Sequence, residues 1–348
     1  AGDKAFRRAI MPRATAASVA VDWVDHAATA MGGHLGTRVA FGQALSAEER
    51  AAAGEILALI ARRVGAWAEI ATHHRPSQLT RLNDDPQDPA PIGPTLAALF
   101  SWAADAHALT GGLVDITLLA QRIAAEEGGA SSPPLLTART WSIDLATQRR
   151  DDRHVAVGGL LTRQPGTTFD LDGVGKGWIA DRAADLLVRM LDTARDRGVL
   201  PPWSSCFVDG DGDIAVRNRS AGGTTVRVAL PSSTSEAIGD LEIRGAERGV
   251  ATSGTGVHAW GGRHHLIDPR TGSPSQSGIA QATVVAASAR EAEAWAKAIV
   301  IDGAAAIRRA EAVGVERIIA VNDQGAILSA PAIGASSTGF LPRAEALP

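Results

Sequence analysis

Asp170, Lys176 and the glycines at 173, 175 and 177 stand within one short stretch, and their types and spacing suit the handling of a phosphate. Glycine lets a backbone approach a ligand, the first free amides of a following helix are anion donors, and Lys176 adds a cation where a phosphate would sit. Two familiar labels fail. A Walker A loop needs Gly five positions before its Gly-Lys pair and Ser or Thr after it, where this chain has Asp170 and Gly177. A dinucleotide fingerprint spaces its glycines G-x-G-x-x-G, whereas these recur two by two. A tight connection with a solvated lysine is the plain structural alternative.

Other clusters point elsewhere, and most have a bland reading. Asp209-Gly210-Asp211-Gly212-Asp213 looks like a calcium loop, but Ile214 and Ser220 stand where an EF-hand needs Gly and Glu, so a turn between strands is the better reading. Ser253, His265 and Asp268 have the types of a hydrolase triad, yet Ala251 and Thr255 occupy the glycine places of a nucleophile elbow. His73, His74, His264 and His265 form adjacent pairs rather than the i, i+4 spacing of a helical zinc site, which argues against structural zinc. Asn218-Arg219-Ser220 matches a glycosylation sequon of only three letters. Glu293 and Lys297 lie four apart on a predicted helix, the arrangement of a favourable surface pair. Trp295, Ala298 and Ile299 make that helix look packed, so the pair is expected to be positioned for a purpose.

The elements that must position these residues follow from periodicity. Alternation over Thr168–Leu171 reads as a strand entering the glycine turn, and Ile179, Ala183, Leu186 and Met190 mark the apolar face of the helix that leaves it. A first strand is expected at 37–41. Ser46 with Glu49 forms a capping box for a helix over about 47–70, and Pro94 opens a second helix that reaches about Leu109. The stretch 73–88 between them reads as a loop. A Gly-, Ser- and Pro-rich linker over 128–134 precedes strands near 140–146, 153–158 and 167–171. Short strands near 205–209, 213–217, 224–230 and 240–244 suggest an antiparallel sheet. A helix capped by Ser288 and ending at Gly303, another over 304–313, and a hairpin over 317–329 complete the pattern. The expected organisation is a poorly defined segment 1–30, one domain over 31–330, and a tail over 331–348.

With 348 residues, 45% of them hydrophobic, the chain can bury one large core or two smaller ones. A net charge of −4 gives no footprint for nucleic acid, and no apolar run is long enough for a membrane span. The lone Cys206 excludes an internal disulfide and reads as a small hydrophobe. No charged-then-apolar leader precedes residue 20, which favours the cytoplasm, while the start at Ala1 leaves an exported form open.

Leu35-Gly36-Thr37, Ser77 to Asn83, Thr110-Gly111-Gly112-Leu113-Val114-Asp115-Ile116-Thr117, Asp170 to Gly177, Gly212-Asp213, Ser253-Gly254 and His265 to Gly272 occur in this order. Together they resemble the ApbE family, the FAD:protein FMN transferases, over about 35–330. The resemblance implies a single α+β domain of mixed and antiparallel sheets flanked by helices, with FAD in a cleft between two halves. It implies transfer of FMN from FAD to a threonine hydroxyl of an acceptor protein, with release of AMP. Retained FAD binding without transfer, as a carrier or sensor, and FAD pyrophosphatase activity are the alternatives. By similarity, Leu35, His73, Leu113, Val114, Asp115, Asp170, Lys176 and Ile267 contact FAD. The Gly173 carbonyl falls at a Mg²⁺ position, and His265 is the candidate general base.

One departure bears on the metal. Where the family has an Asp and, four residues later, a Thr as Mg²⁺ ligands, this chain has Glu293 and Lys297. A carboxylate still serves a hard cation, but a charged ammonium has three donors and no lone pair. The expectation is that Lys297, held by Glu293, brings its own charge to the pyrophosphate. Asp211 is a smaller departure, at a position where the family commonly has Gly.

Overall fold

The structure is a computed structural model that describes residues 22–129, 139–150, 153–219, 224–229, 237–256, 259–330 and 339–342. Most of the expected 128–134 linker and Ser220 of the sequon lie outside the described residues. The first half runs β1 (Asp22–Ala30), β2 (Gly33–Phe41), α1 (Ala47–Ala71), α2 (Gln78–Asp84), β3 (Ala90–Ile92), α3 (Pro94–Leu109), α4 (Leu119–Glu127), β4 (Trp141–Arg150), β5 (Arg153–Arg163) and α5 (Gly175–Asp196). Then come β6 (Trp203–Gly210), β7 (Ile214–Asn218), β8 (Thr224–Ala229), β9 (Ala237–Ile243) and β10 (Glu247–Gly254). Four two-residue strands follow, β11 (Ala259–Trp260), β12 (Arg263–His264), β13 (Ile267–Asp268) and β14 (Ser273–Pro274). The chain continues through β15 (Ile279–Ala286), α6 (Ala289–Asp302), α7 (Ala304–Ala312), β16 (Arg317–Asn322), β17 (Ile327–Ala330) and β18 (Gly339–Pro342).

The centre is an eight-stranded sheet of order β1-β2-β6-β7-β10-β15-β16-β17. Every described pairing in it is antiparallel. The fold is therefore α+β, with antiparallel rather than mixed pairing among the described strands. Both faces of the sheet are covered. In β16, Ile318 and Ala320 join the cluster formed with α6, whereas Ile319 and Val321 join Ile238, Leu241 and Ile243 of β9 on the opposite face. A period of two with apolar residues on both sides explains why this strand reads as a continuous hydrophobic run. On the helical face, α1, α3 and α5 enclose a core with Phe41, Phe100, Phe169 and Trp178.

Several expectations shift. Segment 22–30, left unassigned by the sequence, is the edge strand β1, paired with β2 along its whole length. Within the expected tail, β18 pairs with β9. The expected loop 73–88 contains α2, and α4 follows the Asp115 turn, both too short to show a clear period. The expected strand over 167–171 is not a strand. Its partners are a side chain and a loop: Asn83 donates to the Phe169 carbonyl and accepts its N–H, both at 2.9 Å, and the Asp170 N–H reaches the Ile116 carbonyl at 2.8 Å. The buried face of α5 runs through Ile179, Ala183, Leu187 and Leu191, with Leu186 and Met190 at its margin.

Candidate functional site

The glycines of the turn do two different jobs. A Cβ on Gly177 would come within 2.5 Å of the Ala289 carbonyl oxygen, so this glycine lets the first turn of α5 cross the first turn of α6. A Cβ on Gly173 would meet nothing within 4 Å, and Gly173 is the turn glycine that faces open space at the cleft. The two helices cap each other. Asp181 of α5 accepts from the Ala289 and Arg290 amides at 3.1 and 3.0 Å, and Glu293 of α6 accepts from the Gly177 amide at 2.9 Å. Orphan N–H groups at both helix starts are thus satisfied by the neighbouring helix.

Gly173 borders an open cleft. Its apolar wall comes from Leu113, Val114, Leu118, Leu266, Ile267 and Ile301. Its polar wall comes from Asp115, Arg122, Asp170, Asp172, His265 and Lys297. The turn carrying Leu113 to Asp115 is fixed locally. Thr110 Oγ1 donates to the Ala106 carbonyl and accepts the Val114 N–H, while Asp115 accepts both the N–H and the hydroxyl of Thr117. Gly111 and Gly112 take φ of 64° and 86°, a region that disfavours side chains.

Eight of the residues expected at the site line this cleft: Leu113, Val114, Asp115, Asp170, Gly173, His265, Ile267 and Lys297. Four do not. Leu35 is wholly buried in β2. His73 stands behind Asp170, its Nδ1 3.2 Å from Oδ1. Glu293 stands behind Lys297, fully buried, with Oε1 2.8 Å from the Lys297 ammonium. Lys176 lies 3.4 Å from Asp211 Oδ2. Burial alone would push the Lys176 pKa down, and the charges of Asp211, Asp213, Asp172 and Glu293 outweigh it and hold it up.

Sequence reasoning missed Arg122 and Asp172. Arg122 Nη1 is 3.0 Å from both Asp170 Oδ2 and Asp172 Oδ2, and it carries an unpaired, buried Nε. His74 Nε2 meets Asp172 Oδ2 at 2.9 Å, and the His73 and His74 rings lie 3.9 Å apart. Burial opposes ionisation of Asp172, but the bond from His74 and the charge of Arg122 prevail and hold its pKa down. His73, His74 and Asp172 offer metal-ligand atoms close together, yet the Arg122 guanidinium already supplies the cation at Asp172. No short motif contains Arg122, because α4 places it.

The remaining candidates separate by contacts. Asp268 is taken by Arg270, at 2.7 Å, which removes the carboxylate of the hydrolase triad. His264 turns its Nε2 to the Ser275 carbonyl, so the adjacent histidines diverge and His265 borders the cleft. Asp209 to Asp213 form the β6–β7 turn, with Asp211 at φ 63° and its carboxylate bonded to the His34 amide. A Cβ on Gly33 would fall 2.2 Å from that carboxylate, so Gly33 makes room for the unusual Asp211. Burial pushes the Asp209 carboxyl up to about 7, helped by Asp211. Burial and the charge of Glu293 likewise raise Asp213. Burial pushes the Cys206 thiol up to about 12, as suits an inert packing residue.

A Mg²⁺ ion does not fit this donor set. Lys297 offers no lone pair, and each oxygen of Glu293 already accepts a donor, one from Gly177 and one from the ammonium itself.

Apolar and charged side chains thus line one cleft of an α+β fold, beside a glycine turn at a helix start. The sequence profile of the ApbE family matches residues 35–319, and the chain belongs to that family. It is 27% identical over 248 residues to the FAD:protein FMN transferase of Escherichia coli K12, covering 67% of each chain. It is 23% identical over 267 residues to the protein of that name in Vibrio cholerae, covering 73% of this chain and 76% of the relative. Among solved structures, the ApbE protein of Thermotoga maritima superposes with a TM-score of 0.65 at 20% identity, over 88% of this chain and 96% of that one. Flavinyl transferase ApbE of Pseudomonas stutzeri gives 0.64 at 18% identity, over 89% and 94%. These likenesses establish the fold. No helix among the described residues is long and apolar enough to cross a membrane.

Proposed function

We propose that this chain moves the FMN half of FAD onto a threonine hydroxyl of an acceptor protein and releases AMP. The observation that carries the reading is the cleft itself, which gathers Asp170, Gly173, His265 and Lys297 from three separate parts of the sequence around one apolar wall. The relatives named FAD:protein FMN transferase supply the substrate class. The apolar wall suits a flavin ring. The turn at Gly173 and the cation of Lys297 suit the pyrophosphate that links its two halves.

The chemistry follows from charge and position. His265 takes the proton of the incoming hydroxyl, the oxygen forms a bond to the FMN phosphorus, and the anhydride bond breaks with AMP leaving as its phosphate. Negative charge grows on the single oxygen that bridges the two phosphorus atoms as its bond to the FMN phosphorus breaks, and a preorganised cation stabilises it there. Lys176, kept ionised by its acidic neighbours, adds positive potential at the helix start. Binding without transfer is the second reading, favoured by one observation, the lysine at position 297.

Incubation with FAD and a threonine-bearing acceptor tests the proposal. The expected result is AMP in solution and flavin fluorescence that stays with the denatured acceptor. FAD binding without AMP under any metal condition would leave the binding-only reading. AMP formed equally without acceptor would mark a pyrophosphatase.

A further inference from the structure

Lys297 is held in an unusual way for a cleft-lining lysine. Its ammonium lies 2.8 Å from Glu293 Oε1, its side chain is 13% exposed, and Glu293 is fully buried. Glu293 is anchored in turn by the Gly177 amide. A buried ion pair with a second hydrogen bond on the carboxylate fixes the cation in place rather than leaving it on a mobile stem. The same cation borders the cleft beside Gly173. A divalent ion on Glu293 Oε1 would have to sit against this positive charge in a poorly screened setting.

We propose that Lys297, clamped by Glu293, supplies the positive charge at the pyrophosphate of FAD that a divalent ion would otherwise bring, so that this chain binds FAD without divalent metal. The inference rests on the FAD reading above. It also sets a limit. One ammonium carries a single charge and cannot clamp oxygens octahedrally, so this chain gives up part of the electrostatic help a divalent ion would give at the breaking anhydride.

The test is FAD affinity by flavin fluorescence, in EDTA and in excess Mg²⁺, for the natural protein and for Lys297→Thr. The natural protein is expected to bind equally in both. Lys297→Thr is expected to lose about tenfold or more in EDTA, as when a charged hydrogen-bond partner is removed, and to recover in Mg²⁺. Natural binding that collapses in EDTA overturns the inference and leaves the FAD reading intact. So does Lys297→Thr binding that matches the natural protein in EDTA. Absence of FAD binding under both conditions sinks the FAD reading itself. An independent measurement needs no variant: Mn²⁺ paramagnetic resonance on the natural protein with FAD is expected to show only free ion, and bound Mn²⁺ at one per chain overturns the inference.

Discussion

Glu293 holds an ammonium and a backbone amide at once while sealed from solvent, so it is the residue whose loss should be felt most. Glu293→Ala leaves Lys297 beside an empty pocket and orphans the Gly177 N–H. The expected cost is about 3–5 kcal/mol in urea unfolding, the range for breaking a buried pair from one side. A loss below about 1 kcal/mol would mean that the pair behaves as a surface salt bridge. Asp209 gives a pH dependence of defined sign. Its pKa in the fold is about 7, raised above its ordinary value, so the fold prefers the protonated carboxyl. Its stabilising share is complete below the ordinary carboxylate pKa and is lost as pH rises through about 7. Urea midpoints of the natural protein should fall between about pH 5 and about pH 8, and Asp209→Asn should flatten that fall. Part of the slope should remain in the variant, because the Asp213 carboxyl is raised as well.

The decisive element contact is the crossing of α5 and α6 at their first turns. Gly177 allows the approach, and Asp181 and Glu293 exchange caps across it. Gly249 of β10 lets the start of α6 settle on the sheet, since a Cβ there would fall 2.0 Å from the Ala289 nitrogen. Asp181→Ala removes acceptors from two amides and should cost about 1–2 kcal/mol, the range for a lost helix cap. If the crossing positions Lys297, the same variant should also weaken FAD binding, measured by the same fluorescence titration. Unchanged affinity would show that α6 keeps its place without this cap. The Ser77–Asn83 motif works at this scale too. Its last residue fastens Phe169, and that sets Asp170 at the cleft.

For the whole molecule, the central sheet separates two hydrophobic layers that share strands but not contacts. Ile299 belongs to the layer under α6, and Ile319 belongs to the layer under β9. Each truncated to Ala should cost about 2–5 kcal/mol. The double variant should equal the sum within about 0.5 kcal/mol, because the two sites share no partner. A coupling well above that, in denaturant unfolding of the four proteins, would mean that strain passes through the sheet.

Much of this was legible in the sequence where the signal is local. The Ser46 capping box, Pro94 at the head of its helix, the packed helix capped by Ser288 and the turn chemistry of Asp209 to Asp213 depend on near neighbours, so residue types alone specify them. The ordered motifs carried the family and seven residues of the cleft lining, and the Glu293–Lys297 pair gave the eighth. The same reasoning misread 167–171 as a strand, because an alternating pattern records extended backbone and not what it pairs with; here the partner is a side chain 86 residues away. It assigned all the turn glycines to a ligand, whereas Gly177 serves a helix 112 residues further on. It passed over Arg122 and Asp172, whose meeting depends on α4 lying against the Asp170 segment. Burial of Glu293, the raised Asp209 and the apolar wall of the cleft are likewise properties of the assembled chain. Local chemistry acts between neighbours in sequence and can be read there, while desolvation and long-range charge pairing exist only once distant segments are packed together.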